Sequence, residues 1–83
     1  METHKLKVWP EYFKDLLSGK KTFELRKNDR DYQVGDHLIL EEFNPETSAY
    51  SGGHVHRTIT HILHGPAFGL EEGSVIMSIV LQD

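Results

Sequence analysis

The chain has 83 residues and no cysteine, and its formal net charge is −4 at pH 7. This length allows one compact core and excludes two, and the missing cysteines exclude disulfides, a thiolate nucleophile, Cys-ligated zinc and iron–sulfur clusters. The first residues lack the apolar stretch of a signal peptide, and no apolar run is long enough for a membrane helix. We therefore expect a single cytoplasmic domain over residues 1–83, with no membrane contact.

Charge is distributed unevenly along the chain. Residues 1–30 hold eight of the nine Lys and Arg residues and carry a net charge of +3, whereas residues 31–83 carry −7. Phosphate binding normally requires a basic surface, so the overall charge argues against a nucleic-acid partner. The basic N-terminal segment nevertheless allows a local face that attracts an anion.

The N-terminal segment predicts a strand followed by a helix. Residues 5–9 alternate charged and apolar side chains, which is typical of a strand with one buried face. Pro10 suits the first turn of a helix, and Gly19 supplies its end. The apolar side chains at helical spacing between them are Tyr12, Phe13, Leu16 and Leu17.

From residue 21 to residue 27 the pattern changes to a period of two, which predicts a second strand. Phe23 and Leu25 share one face of this strand. Thr22, Glu24 and Arg26 share the other face. The strand therefore has a hydrophobic side and a polar, charged side.

Turn signals divide the rest of the chain. They are residues 28–31, Val34-Gly35-Asp36, the ends of a hairpin at 44–47 and 51–53, and a loop at 65–69. The intervening segments 37–43, 54–63 and 74–81 are predicted strands. About five short strands with one or two short helices predict a mainly β fold, and a small closed or nearly closed β-barrel is favoured over an open sheet because it leaves no exposed edges.

Two cations and a carboxylate converge where the predicted helix ends and the second strand begins. Lys21 lies at the start of the strand, and Glu24 and Arg26 point the same way two residues apart. An ammonium and a guanidinium beside a carboxylate can bind an anion, and the carboxylate can accept hydrogen bonds from base N–H groups. The alternative interpretation is a solvated strand face with weak surface ion pairs.

The order Gly19, Lys21, Glu24, Arg26 forms the pattern G-x-K-x-x-E-x-R, which resembles the signature of ASCH domains in the PUA-like β-barrel superfamily. The flanking segments 9–13, 26–30, 34–36 and 69–71 look like those of short bacterial and phage ASCH-like proteins of unknown function. The resemblance covers nearly the whole chain. It implies a small PUA-like barrel with a cleft that holds RNA or a modified nucleoside.

The same resemblance implies which residues bind the ligand. They are Lys21, Glu24 and Arg26 in the cleft, with Asn28, Asp29 and Arg30 on its rim. No cofactor and no metal is implied.

Aromatic side chains are the expected stacking partners for bases, because RNA recognition relies largely on unstacked nucleotides. The candidates are Trp9, Tyr32 and Phe68. Each of them is alternatively a core residue.

Some small ASCH proteins are amidohydrolases that deacetylate N4-acetylcytidine, and their pattern looks like a Lys–Thr–Glu arrangement. Lys21 matches their lysine, but Glu24 stands where their threonine nucleophile would be. A catalytic set would then be Lys21, Thr22 and Glu24, since a buried lysine can activate a neighbouring hydroxyl. Glu71 or Glu72 would supply the remaining acid. The departure at Glu24 favours binding over catalysis.

Two further hypotheses concern partners other than a nucleotide. Four of the six histidines lie within residues 54–64, with His54 and His56 on one strand face and His61 or His64 nearby. Their spacing matches no zinc motif, so we predict no metal site. The last hypothesis is a domain that only docks onto a protein partner.

Overall fold

The computed structural model of the chain describes residues 1–82 and contains five strands and one helix. In chain order they are β1 (Thr3–Val8), α1 (Pro10–Ser18), β2 (Phe23–Lys27), β3 (His37–Asn44), β4 (Ala49–His64) and β5 (Ser74–Leu81). The prediction of a small, mainly β, barrel-like domain with one helix near its start is confirmed.

All five strands form one sheet in the order β1-β3-β4-β5-β2. β1 and β3 are parallel, and the other neighbouring strands are antiparallel. Register shifts between Glu41 and Phe43 and between Ile59 and His61 mark β-bulges, which increase the local bend and twist of a sheet. The sheet therefore curls into a half-barrel.

The edges of the half-barrel, β1 and β2, are joined by arginine side chains rather than by strand pairing. Arg26 Nη2 donates a hydrogen bond to the Lys7 carbonyl at 2.8 Å. Arg30 Nη1 donates to the Lys5 carbonyl at 2.9 Å. These two bonds satisfy carbonyl groups that a β1 edge strand would otherwise leave without a partner.

The hydrophobic core receives side chains from every element except β2. Its members are Leu6, Val8, Phe13, Leu16, Tyr32, Leu38, Leu40, Val55, Ile59, Val75, Met77 and Ile79. The buried side chain of β2 is Glu24 instead. A charged residue therefore occupies the position where a strand normally contributes an apolar one.

Helix α1 has the predicted ends but a narrower buried face than predicted. Pro10 lies in its first turn, and Gly19 ends it with a φ of +84°, a left-handed conformation that glycine adopts without strain. Phe13 and Leu16 are buried in the core. Tyr12 and Leu17 remain 45% and 65% exposed, so half of the predicted apolar face points away from the core.

The turn predicted at Ser51-Gly52-Gly53 is wrong, because these residues lie within β4. They form a bulge, and Gly52 adopts a φ of +92° that allows the strand to continue past it. A Cβ at Gly53 would lie 3.3 Å from the ring of Phe13, so the absent side chain lets the helix pack closely on the strand. Gly52 therefore allows the bulge, and Gly53 allows the ring of Phe13 to pack against β4.

A buried His4–Asp36 pair ties β1 to the turn before β3, and the sequence pattern did not predict it. His4 Nε2 lies 2.9 Å from Asp36 Oδ2. The backbone N–H groups of Glu2 and Gln33 each donate to the same carboxylate at 3.0 Å. Burial by itself raises the pKa of the Asp36 carboxyl, but the bonds from His4, Glu2 and Gln33 together lower that pKa below its ordinary value.

We predict that Asp36→Ala lowers the free energy of unfolding by about 3 kcal/mol at pH 7, because it leaves the buried His4 ring and two partly buried backbone N–H groups without an acceptor. The pKa of Asp36 is lower in the folded protein than its ordinary value of 3.8. Its contribution is therefore present above about pH 4 and is lost as the pH falls further. Urea denaturation of both proteins should show a stability difference that narrows below pH 4; a constant difference from pH 7 to pH 3 would contradict this.

Candidate functional site

A cleft of about 430 Å³ opens where the half-barrel is not closed by strand pairing. Its lining residues are Lys7 and Val8 from β1, Trp9 at the N-cap of α1, Tyr12 from α1, and Lys21, Phe23, Glu24, Leu25 and Arg26 from β2 and the residues before it. The volume falls within the range of about 300 to 1,000 Å³ found for small-molecule sites. The structure thus brings Lys21, Glu24 and Arg26 together in one cleft.

Lys21, Glu24 and Arg26 form a tight charged cluster. Lys21 Nζ donates to Glu24 Oε1 at 2.6 Å, and Arg26 Nε donates to Glu24 Oε2 at 3.0 Å. The Glu24 side chain is only 4% exposed, whereas those of Lys21 and Arg26 are 18% and 25% exposed. A buried carboxylate is costly unless it is paired, and here each of its oxygens contacts one cation.

The two faces of β2 are oriented opposite to the usual arrangement. Glu24 faces inward, while Phe23 and Leu25 are 47% and 56% exposed. The period of two was predicted correctly, but an apolar strand face is normally the buried one. β2 differs because its inner face meets Lys21 and the arginine bridge to β1, where a carboxylate finds two partners.

Exposed aromatic rings form the walls of the cleft. The rings of Trp9 and Tyr12 stack with a centroid separation of 6.1 Å and an interplanar angle of 24°. Lys21 Nζ lies 5.0 Å from the ring centroid of Phe23 and 5.8 Å from that of Tyr12. The ammonium is therefore close to two aromatic rings, a geometry that favours cation–π attraction.

The three predicted stacking residues have different positions. Trp9 is 50% exposed and lines the cleft. Tyr32 is a core residue whose ring lies 4.8 Å from that of His4, and burial raises the pKa of its hydroxyl although Arg26 and Arg30 oppose the shift. Phe68 is 94% exposed but does not line the cleft.

Tyr12 and Phe23 are the aromatic residues that the sequence analysis did not assign to the site. Tyr12 was assigned to the buried face of α1, and Phe23 to the hydrophobic side of β2. Trp9 and Tyr12 are three residues apart at the start of a helix. This spacing predicts that their side chains are neighbours, so it could have added Tyr12 to the site.

The predicted rim residues have separate roles. Asn28 Oδ1 accepts the backbone N–H of Tyr32 at 3.1 Å, so its side chain supports the loop. Asp29 and Arg30 line a neighbouring cavity of about 250 Å³, which also includes Arg26. Asp29 and Arg30 are thus near the cleft without lining it.

The residues considered for catalysis are not gathered in the cleft. Thr22 is exposed and is not among the lining residues. Glu71 pairs with Lys27 at 3.0 Å beside a different cavity, and Glu72 is exposed. Only Lys21 and Glu24 of that set lie together.

The histidines of β4 lie apart from the cleft. The rings of His54 and His56 are 5.1 Å apart in an edge-on arrangement. Within residues 1–82, no group of three His, Cys, Asp or Glu side chains is placed to hold a metal ion. The same part of the chain contains no helix with the length and hydropathy of a membrane span.

The fold and the cleft define a small half-barrel domain with a charged, aromatic-lined site at its open seam. The chain belongs to the family described as a domain of unknown function (DUF3850), whose family model matches residues 3–79. It is 41% identical over 59 residues to an uncharacterised 12.9 kDa protein in the GpA 3′ region of Escherichia phage P2. That alignment covers 71% of this chain and 52% of the relative, so the chain matches about half the length of that phage protein.

We predict that Arg26→Ala lowers the free energy of unfolding by about 2 kcal/mol, because it removes the bond to β1 and one of the two cations on a buried carboxylate. Lys14→Ala is the matched control, since Lys14 is an exposed cation on α1 that lines no cavity described above. Urea denaturation of both variants measures the difference. Equal stabilities would show that the arginine bridge does not hold the seam.

Proposed function

We propose that this domain binds single-stranded RNA or a modified nucleoside in the cleft, as its resemblance to ASCH domains implies. A base would stack on the aromatic wall and present its edge to the charged cluster. The observation that carries the proposal is the buried Glu24 carboxylate, held by two cations on a floor surrounded by exposed Trp9, Tyr12 and Phe23.

The charged cluster has hydrogen-bonding capacity left for a base. Each carboxylate oxygen of Glu24 accepts one bond from Lys21 or Arg26, and a carboxylate oxygen can accept two. Glu24 can therefore accept a base N–H group, while Lys21 can donate to a base carbonyl or a phosphate. Such a mixture of donors and acceptors fits the edge of a nucleobase better than it fits a simple anion.

The aromatic wall supplies the second part of base recognition. Stacking of a base on an aromatic side chain contributes about 1 to 3 kcal/mol and tolerates different bases. Trp9, Tyr12 and Phe23 are each about half exposed, so their rings are available without rearrangement of the core.

Local charge also supports a polyanionic or phosphorylated ligand. The two cations of the cluster, Lys21 and Arg26, outnumber its one carboxylate, although the chain as a whole has a net charge of −4. The ammonium of Lys7, a third lining residue, lies over the ring of Phe43 outside the cleft. A positive cleft on an acidic protein attracts an anion to one place and discourages binding elsewhere. This local charge supports a nucleotide ligand despite the acidic composition of the chain.

Binding is preferred to deacetylation of N4-acetylcytidine because no serine or threonine is among the lining residues of the cleft. Glu24 occupies the position of the expected nucleophile, and both of its oxygens contact cations. A carboxylate held in this way is suited to orienting a ligand.

We predict that Lys21→Ala weakens binding of a short RNA about tenfold, which corresponds to the loss of one charge-assisted contact. Trp9 is the only tryptophan and lines the cleft, so its fluorescence should report the titration. The probe is an RNA that carries one N4-acetylcytidine, compared with the same RNA without the acetyl group. Lys14→Ala is the control; Arg57 is unsuitable, because it is buried and donates to the Leu16 carbonyl at the end of α1 at 2.8 Å.

Analysis of the RNA after titration separates the hypotheses. Binding with the acetyl group intact, and weaker binding by Lys21→Ala, supports the proposal. Loss of the acetyl group would replace it with the amidohydrolase. If neither RNA changes the fluorescence of Trp9, the proposal fails and docking onto a protein partner becomes the leading hypothesis.

A further inference from the structure

A second cavity of about 450 Å³ adjoins the cleft. β2 contributes Leu25, Arg26 and Lys27 to its lining, and the loop before β5 contributes Gly69, Leu70 and Glu71. Leu25 and Arg26 also line the cleft. The two cavities are therefore neighbours that meet at these two side chains.

Arg26 is the common element of this surface. It lines the cleft, the second cavity and the smaller cavity beside Arg30. Lys27 lines the second cavity and the smaller one. Arg26 therefore lies between the cavities and Lys27 lies beside them. A single-stranded nucleic acid requires this arrangement, because its bases alternate with negatively charged phosphates.

We propose that the cleft and the second cavity together form one groove for a single-stranded chain of at least two nucleotides, rather than a site for a free nucleoside. This inference rests on the proposed function and extends it. One base occupies the aromatic cleft, the linking phosphate passes near Arg26, and the next nucleotide lies beside Lys27.

The ion pair in the second cavity is suited to exchange with a phosphate. Lys27 Nζ lies 3.0 Å from Glu71 Oε2, and the two side chains are 66% and 79% exposed. Exposed ion pairs contribute little to stability, so Lys27 can leave Glu71 at small cost. When a ligand binds, its phosphate must replace the Glu71 carboxylate as the partner of the Lys27 ammonium group.

The wall of the second cavity is held in place by its backbone. A Cβ at Gly65 would lie 1.9 Å from the carbonyl oxygen of Glu71, so the loop packs directly on Gly65. The Gly65 N–H donates to the Ser74 carbonyl at 2.9 Å, and the Asn28 N–H donates to the Gly73 carbonyl at 2.8 Å. These contacts fix both ends of the loop, so the wall of the second cavity is held by the protein's own backbone.

The test compares 5′-phosphorylated mononucleotides of the four RNA bases with the matching 5′-phosphorylated dinucleotides, by titration of Trp9 fluorescence. We expect the dinucleotide of at least one base to bind about tenfold tighter than its mononucleotide, since a second phosphate beside Lys27 and apolar contacts with Leu25 and Leu70 are added. Because either base of the dinucleotide can enter the cleft, affinity rises by a statistical factor of about two even without a second binding site. Only a larger gain supports the groove.

Lys27→Ala and Glu71→Ala form a matched pair with opposite expected effects. Lys27→Ala should weaken dinucleotide binding about fivefold and reduce the dependence of log affinity on log salt by about 0.7, the value for one phosphate contact on a single strand. Glu71→Ala should strengthen dinucleotide binding, because it removes the competing carboxylate. Neither substitution should change mononucleotide binding.

Equal affinities for mononucleotide and dinucleotide, with no effect of either substitution, would overturn the groove and leave the proposed function standing. If no mononucleotide and no dinucleotide changes the fluorescence but the RNA with or without N4-acetylcytidine does, the groove alone fails; if none of these ligands changes it, the proposed function and the groove fail together. The two failures are therefore distinguishable in one set of titrations.

Discussion

The guanidinium of Arg26 makes the contacts on which both the closure of the half-barrel and the site depend. Its Nη2 bonds to the Lys7 carbonyl on β1, and its Nε bonds to the Glu24 carboxylate on β2. One side chain thus joins the sheet edges and compensates the charge of a buried acid. The seam and the candidate site are the same piece of structure, so a ligand that engages Arg26 also acts on the closure of the sheet.

Two unfavourable features coincide at this seam. A carboxylate is buried on β2, and Trp9, Tyr12, Phe23 and Leu25 remain about half exposed around it. Either feature alone costs stability, through desolvation of a charge or through apolar surface left in water. Local departures of this kind tend to occur at functional sites, where binding of a ligand offsets them. Their coincidence is the strongest physical argument that the cleft binds something.

Two buried polar contacts hold the fold without using any lining residue of the cleft. The buried His4–Asp36 pair and the Arg57 contact with the end of α1 fasten β1 and the helix from the core side. Among described residues, every buried side-chain nitrogen or oxygen has a hydrogen-bond partner. These contacts hold β1 and α1 in addition to the bond that Arg26 donates to the Lys7 carbonyl at the seam.

Periodicity and turn chemistry in the sequence determined most of the secondary structure. The helix Pro10–Ser18, the strand alternation around Glu24 and the final strand follow from residue spacing, which acts locally. The grouping of Lys21, Glu24 and Arg26 followed from the same spacing, supported by the resemblance to ASCH domains. The tertiary structure alone decided which face of β2 is buried, that Ser51-Gly52-Gly53 bulges instead of turning, and that Tyr12 and Phe23 join Trp9 in the cleft. These outcomes depend on which distant strand or helix packs against each segment, and local patterns contain no information about that neighbour.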